Sequence, residues 1–406
     1  MNSHFVELLG VLVAIGIGTM VFGMAAQRIG QPAVLGELIA GMILGQSALG
    51  ILNPSDPVIS AMAELGVLLL LFTIGMETDF RRLARVGGAA GTVALVGVIL
   101  PFGLGYAVAR WLGLGSMTSV VCGATLTATS VGISARVLSD LGRLNTDEGQ
   151  IVLGAAIIDD VIGLVILTIV STLLAGAALT VGGIGITIAM ALGFLVLAVL
   201  VGSRAVPPIF RVIDRLDVAG TLGAAALVFA FLLAWLAAQS GSAMIIGAFA
   251  AGLVLHPTPQ RARIEKATTS IGHFFVPIFF ASVGAAVDLS FFRDAGAVKI
   301  GLALLAVGVV TKFLAGFAPF WFRGNKALIG IAMIPRGEVG LIFAQAGVAA
   351  GALDTRLFSA VTLVVVGTTF LAPPLLARFG RSGPGVDPEN VRGAGGVDDL
   401  VAGSDA

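Results

Sequence analysis

The chain reads as a succession of long apolar runs parted by short polar ones. A helix needs about 20 residues to cross a ~30 Å hydrocarbon core. On that measure the sequence carries thirteen candidate spans, near 5–26, 33–49, 57–76, 87–112, 117–138, 149–174, 182–203, 219–239, 242–256, 270–289, 296–322, 326–350 and 355–378. The second and ninth are short. The pattern predicts an all-α polytopic membrane protein with about thirteen transmembrane helices.

Two spans are interrupted. Span five places Thr125, Thr127, Thr129, Ser130 and Ser134 at mid-membrane with Gly132 among them. Such hydroxyls either back-bond to their own helix and bend it, or mark a broken helix whose half-helix ends line an ion site. Span twelve carries Met333-Ile334-Pro335-Arg336-Gly337-Glu338-Val339-Gly340. There proline removes a backbone donor and clashes with the preceding turn, while Arg336 and Glu338 sit in apolar surroundings, so a second broken helix is expected. Both interruptions fall in the fifth spans of two six-span blocks, about 5–174 and 219–379, joined by a linker helix at about 182–203. An odd connector makes the blocks inverted, and matched broken helices across inverted repeats point to a transporter's substrate site.

Loop charge sets the orientation. With the N-terminus outside, seventeen of the twenty-three Lys and Arg residues fall on the cytoplasmic side. Only Arg110, Arg293, Lys299 and Arg356 fall outside, and Lys312 and Arg336 lie within spans. That bias predicts an outer N-terminus and a cytoplasmic C-terminus. Trp111, Trp235 and Trp321 near span ends fit interfacial belts. Thr78 to Arg85 reads as a short amphipathic helix on the inner surface, its arginines snorkelling toward headgroups. The first run is long and lacks a small-residue cleavage site after a basic start, so it reads as a span rather than a signal peptide.

Composition narrows the classes further. Hydrophobic residues make up 57% and charged residues 11%, and 56 glycines suit close helix packing in lipid. Basic and acidic residues cancel at 23 each, which gives no reason to expect a nucleic-acid partner. A lone Cys122 excludes an intrachain disulfide and a cysteine metal cluster. The tail from 381 to 406 is Gly- and Asp-rich without apolar periodicity and reads as disordered. Its Gly393-Ala394-Gly395-Gly396 is no nucleotide fingerprint, and no cofactor is expected.

The candidate chemistry centres on Asp159 and Asp160, adjacent carboxylates inside the apolar run from Gly154 to Leu167. A single Asp at the centre of a membrane helix costs about 2.5–3.5 kcal/mol, so the pair must face protein, water or a cation. Successive residues point about 100° apart, so one carboxylate can face a neighbouring helix and the other a cavity. The alternative is two structural ion pairs. Lys312 lies about ten residues from the inner end of its span, too deep to snorkel easily, and is expected to pair with Asp159 unless it is interfacial. Glu37 and Glu64, in spans two and three, either pair with a buried base or sit near an interface.

Together these motifs carry a resemblance. The stretches Thr127 to Ile133, Gly154 to Val161, Phe279 to Gly284 and Pro335 to Ile342 resemble the bacterial monovalent cation:proton antiporters, and the sodium/proton antiporters of NapA type among them. The resemblance spans essentially the whole membrane region, 1–380. It implies a NapA/NhaA-like fold in the bacterial inner membrane, two inverted six-helix repeats with crossed discontinuous helices in a core domain, and a second domain for homodimerisation. By motif, Asp160 takes the principal ion-binding role and Asp159 the partner role bridged to Lys312. Thr129 and Ser130 lie beside the site, Na⁺ would contact Asp160, Asp159 and Thr129, and Arg336 and Glu338 support the broken helix. Potassium-efflux relatives carry Gln-Asp where this chain has Asp-Asp, which favours Na⁺ or Li⁺ over K⁺.

The function implied is a transporter, not an enzyme, that exchanges a cation for H⁺ by alternating access, with enough titratable groups to be electrogenic. A K⁺/H⁺ antiporter is the alternative within the family. A sodium-coupled solute symporter would not need the acid pair with an intramembrane lysine. An intramembrane aspartyl protease would need its aspartates on facing helices.

Overall fold

The computed structural model describes residues 3–174, 181–215, 218, 220–287 and 294–380, and the described residues form helices without a strand. The first block comprises α1 (Ser3–Arg28), α2 (Ala33–Leu44), α3 (Pro57–Glu77), the short α4 (Phe80–Arg85), α5 (Gly87–Trp111), α6 (Ser116–Thr125), α7 (Val131–Asp140) and α8 (Asp147–Leu174). Helix α9 (Val181–Arg215) connects it to the second. That block comprises α10 (Thr221–Gln239), α11 (Met244–Leu255), α12 (Arg261–Ala285), α13 (Ala295–Ala315), α14 (Lys326–Ala332), α15 (Glu338–Ala349) and α16 (Thr355–Gly380). Among the described residues nine helices are long and apolar enough to cross a membrane. With the short α2 and α11 and the two half-helix pairs, α6 with α7 and α14 with α15, they account for the thirteen segments. The tail 381–406 lies outside the described residues.

Some boundaries differ from the hydrophobic pattern, each for a local reason. Span two ends at Leu44, about 18 Å of helix. The chain then doubles back, and the amides of Ile51 and Leu52 both donate to the Leu44 carbonyl at 2.9 and 2.8 Å. Helix α9 runs 35 residues, past the expected end at 203, through Arg204, Arg211 and Arg215. Hydropathy falls there, yet the helix continues through Pro207 and Pro208. Helix α13 stops at Ala315, before 322, because Gly316 and Pro319 follow it. Arg143, one of the seventeen basic residues counted on the cytoplasmic side, is buried and donates from Nε to the Gly380 carbonyl at 2.9 Å, capping the end of α16.

The helices pack in two groups. In one, α1, α2 and α3 meet α10, α11 and α12; in the other, α5 to α8 meet α13 to α16. Contacts between the groups are sparser, chiefly α7 against α2 and α3 and α16 against α2, while α9 touches α8, α10 and α11. Helix pairs recur in matched form across the blocks: α1 with α2 and α10 with α11, α2 with α12 and α11 with α3, α5 with α8 and α13 with α16.

Glycines set how closely those pairs approach. A Cβ on Gly41 would lie 2.0 Å from the Ala281 carbonyl oxygen, and one on Gly252, at the matching place in α11, 2.2 Å from that of Phe72. Gly36 and Gly247 repeat the relation one turn earlier, against Phe22 and Leu233. The same backbone contact thus occurs twice, related by the internal repeat. In lipid such close approach replaces the hydrophobic driving force between helices.

We expect Gly41→Ala and Gly252→Ala each to lower the melting temperature in detergent, because backbone must separate from backbone at a cost of about 1–3 kcal/mol. Gly103→Ala, whose Cβ meets nothing within 4 Å, serves as the control and should leave it unchanged.

Candidate functional site

The site forms where the two broken helices touch. Leu126 to Ser130 part α6 from α7, and Met333 to Gly337 part α14 from α15. The Ser130 amide donates to the Pro335 carbonyl at 2.8 Å, and the Ser134 hydroxyl donates to the Ala332 carbonyl at the end of α14. Both choices offered by the hydroxyl run are realised. Thr125 and Thr127 back-bond to Val121 and Ala124, while Thr129, Ser130 and Ser134 reach across to other elements through side chain or backbone.

The backbone groups freed by Pro335 are satisfied one by one, as a water-poor interior requires. Arg336 donates from its amide to Thr368 Oγ1 at 3.2 Å and from Nη1 to the Ile334 carbonyl at 3.3 Å. Its own carbonyl accepts from Thr369 Oγ1 at 2.7 Å. The Arg336 side chain is fully buried, and its Nε and Nη2 have no hydrogen-bond partner among the described residues. Glu338 heads α15, but its side chain lies outside the described residues.

Lys312 on α13 holds the other side of the site. Its Nζ donates to Thr129 Oγ1 at 2.7 Å and to Asp159 Oδ2 at 3.2 Å, with the lysine and aspartate side chains 0% and 2% exposed. Asp159 Oδ1 has no hydrogen-bond partner among the described residues. Asp160, one residue on, is half-buried, and its charge acts on Lys312. The Asp159 charge also acts on Arg336.

Two glycines make room for the cations. A Cβ on Gly97 of α5 would stand 3.4 Å from Lys312 Nζ, and one on Gly308, a turn before Lys312, 3.2 Å from Arg336 Nη2. The structure therefore brings together Asp159, Lys312 and Thr129 directly, with Asp160 beside them and Ser130 and Arg336 at the crossing. Two carboxylates and two cations thus meet beside the crossing of the broken helices, where charge is expensive unless it is compensated.

Sequence reading passed over Thr368 and Thr369. Their signal was two adjacent hydroxyls in the apolar run of span thirteen, spaced to meet both backbone groups of one residue in the facing break. Glu64 is exposed on α3, whereas Glu37 is buried on α2 and feels the charges of Arg136 and Asp140.

The pattern of the transmembrane sodium/hydrogen exchanger family matches residues 12–380. The chain is 38% identical to the high-affinity Na(+)/H(+) antiporter NhaS3 of Synechocystis sp., over 90% of this chain and 88% of that one. It is 35% identical to the Na(+)/H(+)-K(+) antiporter GerN of Bacillus cereus, over 89% and 93%. In fold it is similar to the sodium proton antiporter MjNhaP1 of Methanocaldococcus jannaschii, with a TM-score of 0.67 at 17% identity over 92% of this chain and 97% of that one.

Replacing Lys312 by Gln leaves Asp159 buried without a cation. The expected loss is about 3–5 kcal/mol, seen as a lower melting temperature in detergent. Thr129→Val removes one neutral acceptor from Lys312 and should cost less, about 1–3 kcal/mol. Equal stability of the Lys312→Gln and native proteins would mean that the pair contributes nothing to the fold.

Proposed function

The chain belongs to the transmembrane sodium/hydrogen exchanger family, and from that premise we propose that it exchanges Na⁺ for H⁺ by alternating access at Asp159 and Asp160. The observation that carries the reading is the buried Lys312–Asp159 pair at the helix crossing, with one Asp159 oxygen unpartnered among the described residues and Asp160 half-buried beside it. A carboxylate that holds a proton cannot offer a full charge to a cation, and one that holds a cation binds a proton weakly. The two ions exclude each other, and competition at one site becomes exchange.

In this account Asp160 is the principal carboxylate. Sodium takes oxygens from Asp160, Asp159 and Thr129, drawing Asp159 away from Lys312, whose proton then leaves. Two protons move against one cation, one from Asp160 and one from Lys312, so transport is electrogenic. Ser130 shapes the crossing, and Arg336 and Glu338 brace the second broken helix. Residues 1–380 form the transport unit, with repeats at about 5–174 and 219–379 and a linker at about 182–203. The group of α5 to α8 with α13 to α16 carries the site past the other group, which takes the homodimer contact.

Loop charge supports a place in the bacterial inner membrane with the N-terminus outside and the tail 381–406 in the cytoplasm. Potassium exchange is the second reading, supported by the likeness to the Bacillus cereus Na(+)/H(+)-K(+) antiporter. Lithium, chemically nearest to sodium, is a further substrate of the same site.

Liposomes carrying the protein and a pH dye test this directly. Adding Na⁺ should move protons, K⁺ should move fewer, and Asp160→Asn should abolish the response, since an amide can neither release a proton nor offer a full charge. Exchange by Asp160→Asn at the native rate would remove Asp160 from the site.

A further inference from the structure

Outside the ion site an apolar hollow lies between the two helix groups. It has a volume of about 260 Å³ and is lined entirely by apolar side chains and glycines, among them Phe80 and Leu83 of α4, Ile158 of α8, Leu195 and Val199 of α9 and Phe249 of α11. One wall thus belongs to the site-bearing group and the other to α9 and α11. Ile158 precedes the Asp159–Asp160 pair directly. At the rim, Phe80, Val196 and Leu200 are 50%, 56% and 53% exposed, so the hollow opens sideways along α4 and α9 rather than closing as a core.

Charge surrounds that opening on both sides. Helix α4 has no buried residue of its own and carries Arg81 next to the lining Phe80, while Arg82 is held by the Asn145 carbonyl at 2.9 Å and Arg85 lines a separate hollow with Asp147 and Glu148. Across the hollow, exposed Arg204 donates from Nη1 to the carbonyl of the lining residue Leu200 at 3.3 Å, which holds its guanidinium beside the rim. An apolar slot whose mouth carries arginines at membrane-surface depth matches one class of molecule, a chain with an anionic head.

We propose that this hollow is a binding site for an anionic phospholipid of the surrounding leaflet, one acyl chain seated between Leu83 and Val199 and the phosphate held by Arg81 and Arg204. A zwitterionic lipid offers the same chain but carries a cation on its headgroup, so the arginines select against it. The lipid bridges α4 to α9, one element from each side of the hollow. Its binding does not depend on which cation the protein carries.

The test uses the full chain in detergent, titrated with phosphatidylglycerol or phosphatidylcholine of the same acyl chains, and reads melting temperature together with lipid retained in native mass spectrometry. Phosphatidylglycerol should raise the melting temperature by several degrees and remain bound, and phosphatidylcholine should do neither. An Arg81→Gln, Arg204→Gln protein, changed only at exposed positions, should lose that preference. Val199→Trp, which fills the hollow, should lose retention of phosphatidylglycerol; if it fails to fold, the arginine variant decides alone. Equal effects of the two lipids on the native protein, or a phosphatidylglycerol preference that survives the arginine changes, would overturn the proposal.

Discussion

A lysine and an aspartate held out of water in the middle of the membrane are the constraint around which this structure is arranged. Neither ion survives there alone, since removing one partner of a buried pair costs about 3–5 kcal/mol. The Lys312–Asp159 contact at 3.2 Å offsets much of that, and Thr129 at 2.7 Å takes a second ammonium proton. Arg336 adds a further buried cation whose Nε and Nη2 remain unpaired among the described residues. With Asp159 and Asp160 ionised and both cations protonated, the four charges sum to zero. In the proposed exchange a sodium ion enters as the Lys312 proton leaves and that sum is kept, while the proton that Asp160 gave up to reach this state is the second of the two.

The broken helices follow from the same constraint. A continuous helix satisfies its own backbone and presents only side chains, whereas a break brings half-helix ends and main-chain groups to the charges. The freed groups must then be met by other elements, and they are. Ser130 and Ser134 on one break serve Pro335 and Ala332 on the other, and Thr368 and Thr369 of α16 bracket Arg336. Away from the crossing, glycines at matched places in the repeats let α2 lie on α12 and α11 on α3 at backbone contact distance. One helix group is therefore braced through its backbones, and the other holds its charges through side chains.

Much of this was legible because charges in apolar runs are rare and expensive, which singled out Asp159, Asp160, Lys312 and Arg336 at once. Pro335 announced one break, and the hydroxyl run announced the other. Pairing Lys312 with Asp159 followed from the need for a partner. Less legible were features decided by tertiary contact. Hydropathy could not show that α2 ends at Leu44, because Ala48, Leu49, Ile51 and Leu52 keep the average apolar past Gln46 and Ser47 while the chain turns back. Nor could it carry α9 through Arg204 to Arg215, where helix persists after the apolar pattern fades. Arg143 looked like loop charge until the end of α16 came to rest on it. Thr368 and Thr369 carried only a faint mark, because hydroxyls inside a helix usually bond to their own backbone.

The central claim is that sodium opens the Asp159–Lys312 pair and that the lysine's proton is carried across with the exchange. Proteoliposomes held at fixed ion gradients, with the membrane potential varied in sign and size, measure this most directly in the native protein and in Lys312→Gln. The account predicts that native exchange speeds or slows with the potential and that any exchange left in Lys312→Gln is indifferent to it. A Lys312→Gln protein whose exchange follows the potential as the native protein's does would contradict it, and Lys312 would then be a brace rather than a carrier.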